Sequence, residues 1–165
     1  MNEKTGRKIK KRTNANDIFI TPLELAKTHI EMIDYKEDDI WLDPFKNSGN
    51  YYNQYPTKKK DWCEILEGRD FFDFNEKVDV ICSNPPYSFI DKILNKCIEL
   101  KPRIISFLIG VNNLTTKRIE TMNNEGYGLY KMRMLKVWDW FGMSFIVQFE
   151  LGKENCIQID RKIYY

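Results

Sequence analysis

The chain reads as one α/β domain with a mostly parallel sheet, and three observations carry that reading. Apolar runs of strand length alternate with segments of helical spacing, which is the pattern of strand–helix–strand units. The last two strand-like runs follow one another without a helix between them, as an antiparallel pair at the sheet edge does. Finally, 165 residues with 42% hydrophobic content suffice for a single buried core.

The elements follow in order. Residues 1–16 show no apolar periodicity and form a basic arm in which Lys4, Arg7, Lys8, Lys10, Lys11 and Arg12 crowd together. Such an arm is either a phosphate contact, a solvated tail or a targeting tract; Lys58-Lys59-Lys60 is a second basic cluster. The remainder, 17–165, is one domain. At its start Thr21 is placed to cap a helix, Pro22 fits the first helical position, and Glu24 completes a capping box. Leu23, Ala26, Ile30 and Ile33 then share a face.

Ile40-Trp41-Leu42 is a short buried strand, and Pro56 keeps any helix after it brief. Asp61-Trp62-Cys63-Glu64 is a second strand, Gly68-Arg69-Asp70-Phe71-Phe72 a connecting loop, and 78–83 a third strand. A helix begins at Ser88 with Phe89, Ile93, Cys97 and Leu100 on one face. A strand at 103–110, a polar helix at 115–124 stopped by Gly126, and strands at 130–138 and 144–151 complete the pattern.

Composition narrows the function. No apolar run approaches the ~18 residues of a membrane span, and the basic, polar N-terminus is unlike a signal peptide, so an intracellular protein is expected, cytoplasmic or nuclear. Cys63, Cys82, Cys97 and Cys156 lack paired spacing, which points to free thiols, buried where they fall in predicted elements. A single histidine, His29, argues against a histidine-rich metal site or a serine-type triad, and no metal is expected.

The chemistry concentrates at Asn84-Pro85-Pro86-Tyr87, directly after the third strand. An amide, two rigid residues without N–H donors and an aromatic ring suit holding a flat amino group and stacking on its ring. Other polar groups lie at strand ends, where ligands of open α/β sheets bind. Asp43 precedes a loop with Ser48-Gly49 that allows close backbone approach, and Glu64 follows about 20 residues later, where dinucleotide folds place a ribose-binding acid. Taken singly, the loop is equally a turn and Glu64 equally a surface acid.

Together these residues resemble the class I S-adenosylmethionine-dependent amino-methyltransferases of the adenine-N6 type, over roughly 17–150. Ser83-Asn84-Pro85-Pro86-Tyr87 is similar to the catalytic motif, Asp43-Pro44-Phe45 with Ser48-Gly49 to the cofactor loop, and Glu64 to the ribose-binding acid. Asp70-Phe71 is similar to the motif contacting the cofactor's adenine. Ile18-Phe19-Ile20-Thr21-Pro22 resembles the element whose Thr-Pro meets the cofactor's methionine end, where a helix N-terminus favours a carboxylate. The resemblance implies a Rossmann-like class I methyltransferase fold with an antiparallel C-terminal hairpin, and S-adenosyl-L-methionine as cofactor. It assigns catalysis to Asn84, Pro85, Pro86 and Tyr87. It assigns cofactor binding to Thr21, Pro22, Asp43, Phe45, Ser48, Gly49, Glu64, Asp70, Phe71 and Asn84.

It also implies a mechanism. The Asn84 oxygen and the Pro85 carbonyl would draw the amine out of plane and localise its lone pair, while Tyr87 stacks on the base. Trp138-Asp139-Trp140-Phe141-Gly142-Met143 falls where relatives wall the base pocket, with Phe141 the candidate; the alternative for these rings is the core.

The motif order is that of the gamma group of DNA enzymes, and DNA is therefore expected ahead of RNA. No target-recognition region follows the last catalytic strand, so recognition is expected from a partner subunit, self-association or the basic arm. Asn47 stands where many relatives carry the loop's first glycine. The alternatives are adenine methylation in RNA, N-methylation of a protein glutamine, and a non-catalytic nucleic-acid-binding subunit.

Overall fold

A computed structural model describes residues 19–137, 142–160 and 162. The basic arm and Phe141 lie outside the described residues. Strands β1 (Trp41–Asp43), β2 (Lys60–Trp62), β3 (Val80–Ser83), β4 (Ile104–Gly110), β5 (Tyr127–Leu135) and β6 (Ser144–Leu151) form one sheet in the order β2-β1-β3-β4-β6-β5. The first four run parallel, and β6 is antiparallel to both β4 and β5. The expected parallel sheet with an antiparallel C-terminal pair is therefore present. Among the described residues the α-helices are α1 (Leu23–Ile30), α2 (Ile90–Leu100) and α3 (Thr116–Asn124).

Near-continuous apolar runs become these central strands because both faces are covered. One face carries α1: Ala26, Ile30 and Ile33 pack with Trp41, Val80, Cys82 and Ile104. The opposite face carries α2 and α3, whose Ile93, Cys97, Ile119 and Met122 meet Leu42, Ile81, Ile105 and Phe107. Alternation along β4 thus sends Ile105 and Phe107 one way, and Ile104 and Ser106 the other. Cys63, Cys82 and Cys97 are buried free thiols and Cys156 is exposed. Burial pushes the Cys63 thiol up to about 12. Among the described residues no helix is long and apolar enough to cross a membrane.

Two expectations shift and one holds. The first helix is capped by Pro22 and makes no side-chain cap bond. Thr21 is buried and its hydroxyl accepts from the Asn84 amide instead, so tertiary structure claims the group that local sequence assigns to the cap. No helix joins β1 to β2 beyond a 3-10 turn at Tyr52–Gln54, as Pro56 dictates. The fifth strand starts at Tyr127, earlier than the expected 130, because Gly126 takes φ +85 and turns the chain directly out of α3.

At the far end of the sheet Arg103 holds the strand ends together. It pairs with buried Asp39 and with Glu150 at 3.5 Å, and donates to the Asp34 carbonyl at 3.3 Å. Gly128 on β5 lets the segment after β6 cross closely: a Cβ there would lie 2.1 Å from the Lys153 carbonyl oxygen. Gly128→Ala is therefore expected to destabilise the fold by about 1–3 kcal/mol, read as a lower urea midpoint. An unchanged midpoint would contradict the close crossing.

Candidate active site

The strand order reverses between β1 and β3, since the chain leaves β1 toward β2 and later continues from β3 toward β4. A crevice at such a switch point opens at the carboxyl ends of the strands. Asp43 ends β1 and Ser83 ends β3, and Asn84 follows at once. A cavity of about 220 Å³ lies here, lined among others by Thr21, Phe45, Ser48, Tyr51, Glu64 and Asn84. A smaller hollow of about 70 Å³ shares Phe45, Glu64, Ile65 and Pro86 with it and adds Asp70, Phe71 and Phe89. Together they make one elongated groove, polar toward Thr21 and Asn84 and aromatic toward Phe71.

The loop after β1 is built for close approach. Lys46 to Gly49 is a turn closed by the Gly49 amide donating to the Lys46 carbonyl at 2.7 Å. Gly49 has φ +83, and Asn47 has φ +45, the left-handed region in which asparagine is the best-tolerated residue after glycine. The Asn47 amide donates to Glu64 Oε2 at 2.9 Å, and Leu66 donates to Glu64 Oε1 at 3.1 Å. Glu64 thus pins the loop while facing both hollows, and each of its oxygens retains a lone pair for a ligand hydroxyl. Lys46 lies 3.6 Å over the Trp62 ring and pairs with Glu67, which fixes the outer wall.

At the aromatic end Phe45 meets Phe71 edge-on at 5.4 Å, and Phe72 packs beside it. Asp70 caps the turn at Phe71–Asp73, accepting from Phe72 at 3.0 Å. At the polar end Asn50 donates to the Thr21 carbonyl at 2.7 Å, tying the segment before α1 to the loop.

Asn84 Nδ2 donates to Thr21 Oγ1 at 3.3 Å, while Asn84 Oδ1 is buried with no hydrogen-bond partner among the described residues. A buried acceptor left unmade costs about 1–3 kcal/mol, and this one belongs to a residue that lines the cavity. Pro85 is buried and Pro86 lines both hollows. Tyr87 begins a 3-10 turn that leads into α2, and its ring lies near Gly110 at the end of β4, 3.6 Å from where a Cβ would stand.

The expected residues fall into two groups. Thr21, Phe45, Ser48, Glu64, Asp70, Phe71, Asn84 and Pro86 line the groove. Pro22, Asp43, Gly49, Pro85 and Tyr87 do not. Asp43 is wholly buried and accepts from the Ser83 hydroxyl at 2.7 Å and from the Phe45 amide at 3.2 Å. Tyr51, Asn50, Lys46 and Ile65 also line the cavity without having been legible, because a turn rather than a periodic element places them.

Searches with the sequence match no family model and no curated protein. Solved structures do match in fold. The E. cuniculi Mtq2–Trm112 complex, responsible for methylation of the eRF1 translation termination factor, superposes with TM-score 0.56 at 20% identity, covering 81% of this chain and 98% of that one. The 23S rRNA methyltransferase ErmE gives 0.61 at 11%, covering 86% and 72%. M. jannaschii TYW2, in complex with AdoMet, gives 0.52 at 15%, covering 83% and 80%. With the strand order above, these establish the Rossmann-like class I methyltransferase fold.

Burial raises the Asp43 carboxyl to about 7, against the help of Ser83 and the backbone amides. Between the usual carboxylate range and pH 7 the folded state holds a proton that the unfolded chain lacks. Stability from this group is therefore greatest at low pH and is lost as pH rises through 7. Asp43→Asn removes the dependence. Its stability relative to the parent is expected to increase by about 2 kcal/mol from pH 5 to pH 8, measured by urea unfolding. A difference independent of pH would mean that Asp43 is already ionised across that range.

Proposed function

We propose that the chain is an S-adenosylmethionine-dependent amino-methyltransferase acting on the exocyclic N6 amine of adenine, in DNA by the order of its motifs. The observation that carries this is the buried, unclaimed Asn84 oxygen at the polar end of the groove. It is the acceptor that a flat NH2 group needs.

The groove suits the cofactor's three parts. Thr21, Ser48 and Asn50 face the methionine end, the Glu64 carboxylate is placed for ribose hydroxyls, and Ile65, Asp70 and Phe71 offer a flat apolar wall with one acid for adenine. Gly49 at φ +83 closes the turn of this loop, and its missing side chain leaves room for Asn53. Bound there, S-adenosylmethionine supplies a sulfonium methyl that is already activated, which leaves alignment to the protein.

The residues of the chain then act on the acceptor. The Asn84 oxygen and the Pro85 carbonyl accept from the amine's two N–H groups and pull them from the ring plane. The nitrogen lone pair so localised points toward the methyl. Both prolines hold the acceptors outward, because neither can rotate about φ. Tyr87 stacks on the base, worth about 1–3 kcal/mol. The proton leaves after transfer, when the nitrogen is cationic, so no dedicated base is required. Extruding the base from a duplex costs a few kcal/mol, which single-stranded substrate avoids.

Two neighbours in fold support second readings. ErmE is named for 23S rRNA, which favours RNA as the polymer. Mtq2 is named for methylation of a protein factor, and a glutamine amide poses the same delocalised lone pair. The experiment is to incubate the chain with labelled S-adenosylmethionine and separate DNA, RNA and protein pools, then digest the labelled pool to monomers. N6-methyladenine from DNA is the expected product. Label confined to a protein amide would overturn the adenine assignment.

Asn84→Ala is expected to lower transfer by at least about 100-fold while cofactor affinity by calorimetry stays within about threefold. Equal losses of both would place Asn84 in cofactor binding alone.

A further inference from the structure

The connections at the carboxyl end of the sheet differ in charge on the two sides of the strand reversal. After β1 and β2, residues 44–51 and 63–73 carry Glu64, Glu67, Asp70 and Asp73 against Lys46 and Arg69. After β3 and β4, residues 84–92 and 111–118 carry Lys92, Lys117 and Arg118 against Asp91. The connection after β5 adds Lys136; Asp139 in the same connection lies outside the described residues. The half that faces the cofactor groove is therefore acidic, and the half beyond the catalytic turn is basic.

Contacts between elements gather the basic segments into one face. Arg118 Nε donates to Asp91 Oδ1 at 2.7 Å, which joins the first turns of α2 and α3. Arg118 also donates to the Asn113 carbonyl at 2.8 Å and so fixes the turn after β4. The Val111 amide donates to the Met143 carbonyl at 3.0 Å, and Lys136 Nζ to the Gly142 carbonyl at 3.1 Å. The Tyr87 ring, 3.6 Å from where a Cβ of Gly110 would stand, brings the catalytic turn against the same end of β4.

Within this face the Asp91–Arg118 pair cancels its own charge and leaves Lys92 and Lys117 beside it. Both lysines are exposed, and neither is within ion-pair distance of an acid among the described residues. Lys92 Nζ lies 6.0 Å over the Phe89 ring, and Phe89 lines the smaller hollow, so this cation stands at the rim of the groove.

Charge divided in this way sorts two reactants. A sulfonium cofactor, cationic overall, is drawn to the acidic loops, whereas a phosphodiester chain is repelled by them and drawn to the basic ones. An unpaired strand can lay its phosphates on so short a face and offer a base to the groove without the cost of extrusion.

We propose that the face made by the first turns of α2 and α3 and the ends of β4 and β5 binds the phosphates of a single-stranded polynucleotide, with Lys92 and Lys117 as contacts. The use of this face in presenting a base to Asn84 rests on the methyl-transfer reading of the site. Phosphate binding itself rests on charge and topology.

The test measures binding of the full chain, without cofactor, to fluorescent strands of about 20 nucleotides by anisotropy between about 50 and 200 mM salt. Lys92→Ala/Lys117→Ala is expected to weaken binding about tenfold at about 100 mM salt. It is also expected to flatten the slope of log affinity against log salt by about 1.4, the share of two single-strand phosphates. Lys58→Ala/Lys77→Ala makes the same change in charge at the opposite end of the sheet, before β2 and β3, and is expected to leave the slope unchanged. Equal losses from the two double variants would reduce the effect to net charge and overturn the proposal.

Asp91→Asn removes the described acid of the face and is expected to tighten binding several-fold, a gain that misfolding cannot imitate. Unchanged or weaker binding by that variant overturns the proposal. DNA and RNA strands of one sequence, run in parallel, identify the sugar that is preferred; dependence on the lysines confined to duplexes overturns the single-strand assignment. If the parent chain methylates no pool while the lysine pair governs binding, the proposed function fails and the face stands. If it methylates adenine while the lysine variant binds as the parent does, the face fails and the function stands.

Discussion

The site depends on one buried contact, the Ser83 hydroxyl donating to the Asp43 carboxyl at 2.7 Å. It joins the last residues of two strands that lie side by side but diverge in chain direction at the point where the sheet reverses. Beyond Asp43 comes the loop that lines the groove; beyond Ser83 comes the turn that carries Asn84. Because both residues are fully buried, the link is dry and short, and the two loops are held as one body. The upward shift of the Asp43 carboxyl pKa, caused by burial, is the cost of placing a carboxyl there, and it identifies the strand ends as the polar heart of an otherwise apolar sheet.

Around that link, polar groups are satisfied in layers. Glu64 takes the loop amides, Asn50 takes the Thr21 carbonyl, and Tyr55 donates to the Cys82 carbonyl. The Asn84 oxygen is left out of this economy, although the nitrogen beside it is engaged. Among the described residues Trp41 Nε1, Asp43 Oδ2, Arg103 Nε and Gln148 Oε1 are also left unmatched, but none of those residues lines the groove, whereas Asn84 does. In the proposed reaction the substrate amine takes that acceptor.

Much of this was legible in the sequence, for identifiable reasons. Strand segments such as 80–82 and 145–147 are apolar at every position, because strands covered on both faces read as near-continuous hydrophobic stretches. The tetrapeptide after β3 was visible because prolines and an amide at a strand end have few structural uses. Asn47 was noted as a departure from glycine, and its φ of +45 shows why asparagine substitutes there. Thr21 was misread as a cap, because capping rules see neighbours in sequence and its partner is Asn84, far along the chain. Tyr51 and Ser106 gave no signal at all: a 3-10 turn places the first, and an apolar strand hides the second. The aromatic segment with Phe141 lies outside the described residues, so its part in an acceptor pocket rests on sequence alone.

The most direct measurement is a crystal structure of the chain with S-adenosylhomocysteine and adenosine. The Asn84 oxygen is expected within hydrogen-bonding distance of the adenosine amine, with Asn84 Nδ2 still on Thr21 and Glu64 on the ribose of the cofactor product. An adenosine amine bound elsewhere, or an amide turned so that its nitrogen faces the base, would contradict the clamp on which the proposed chemistry rests.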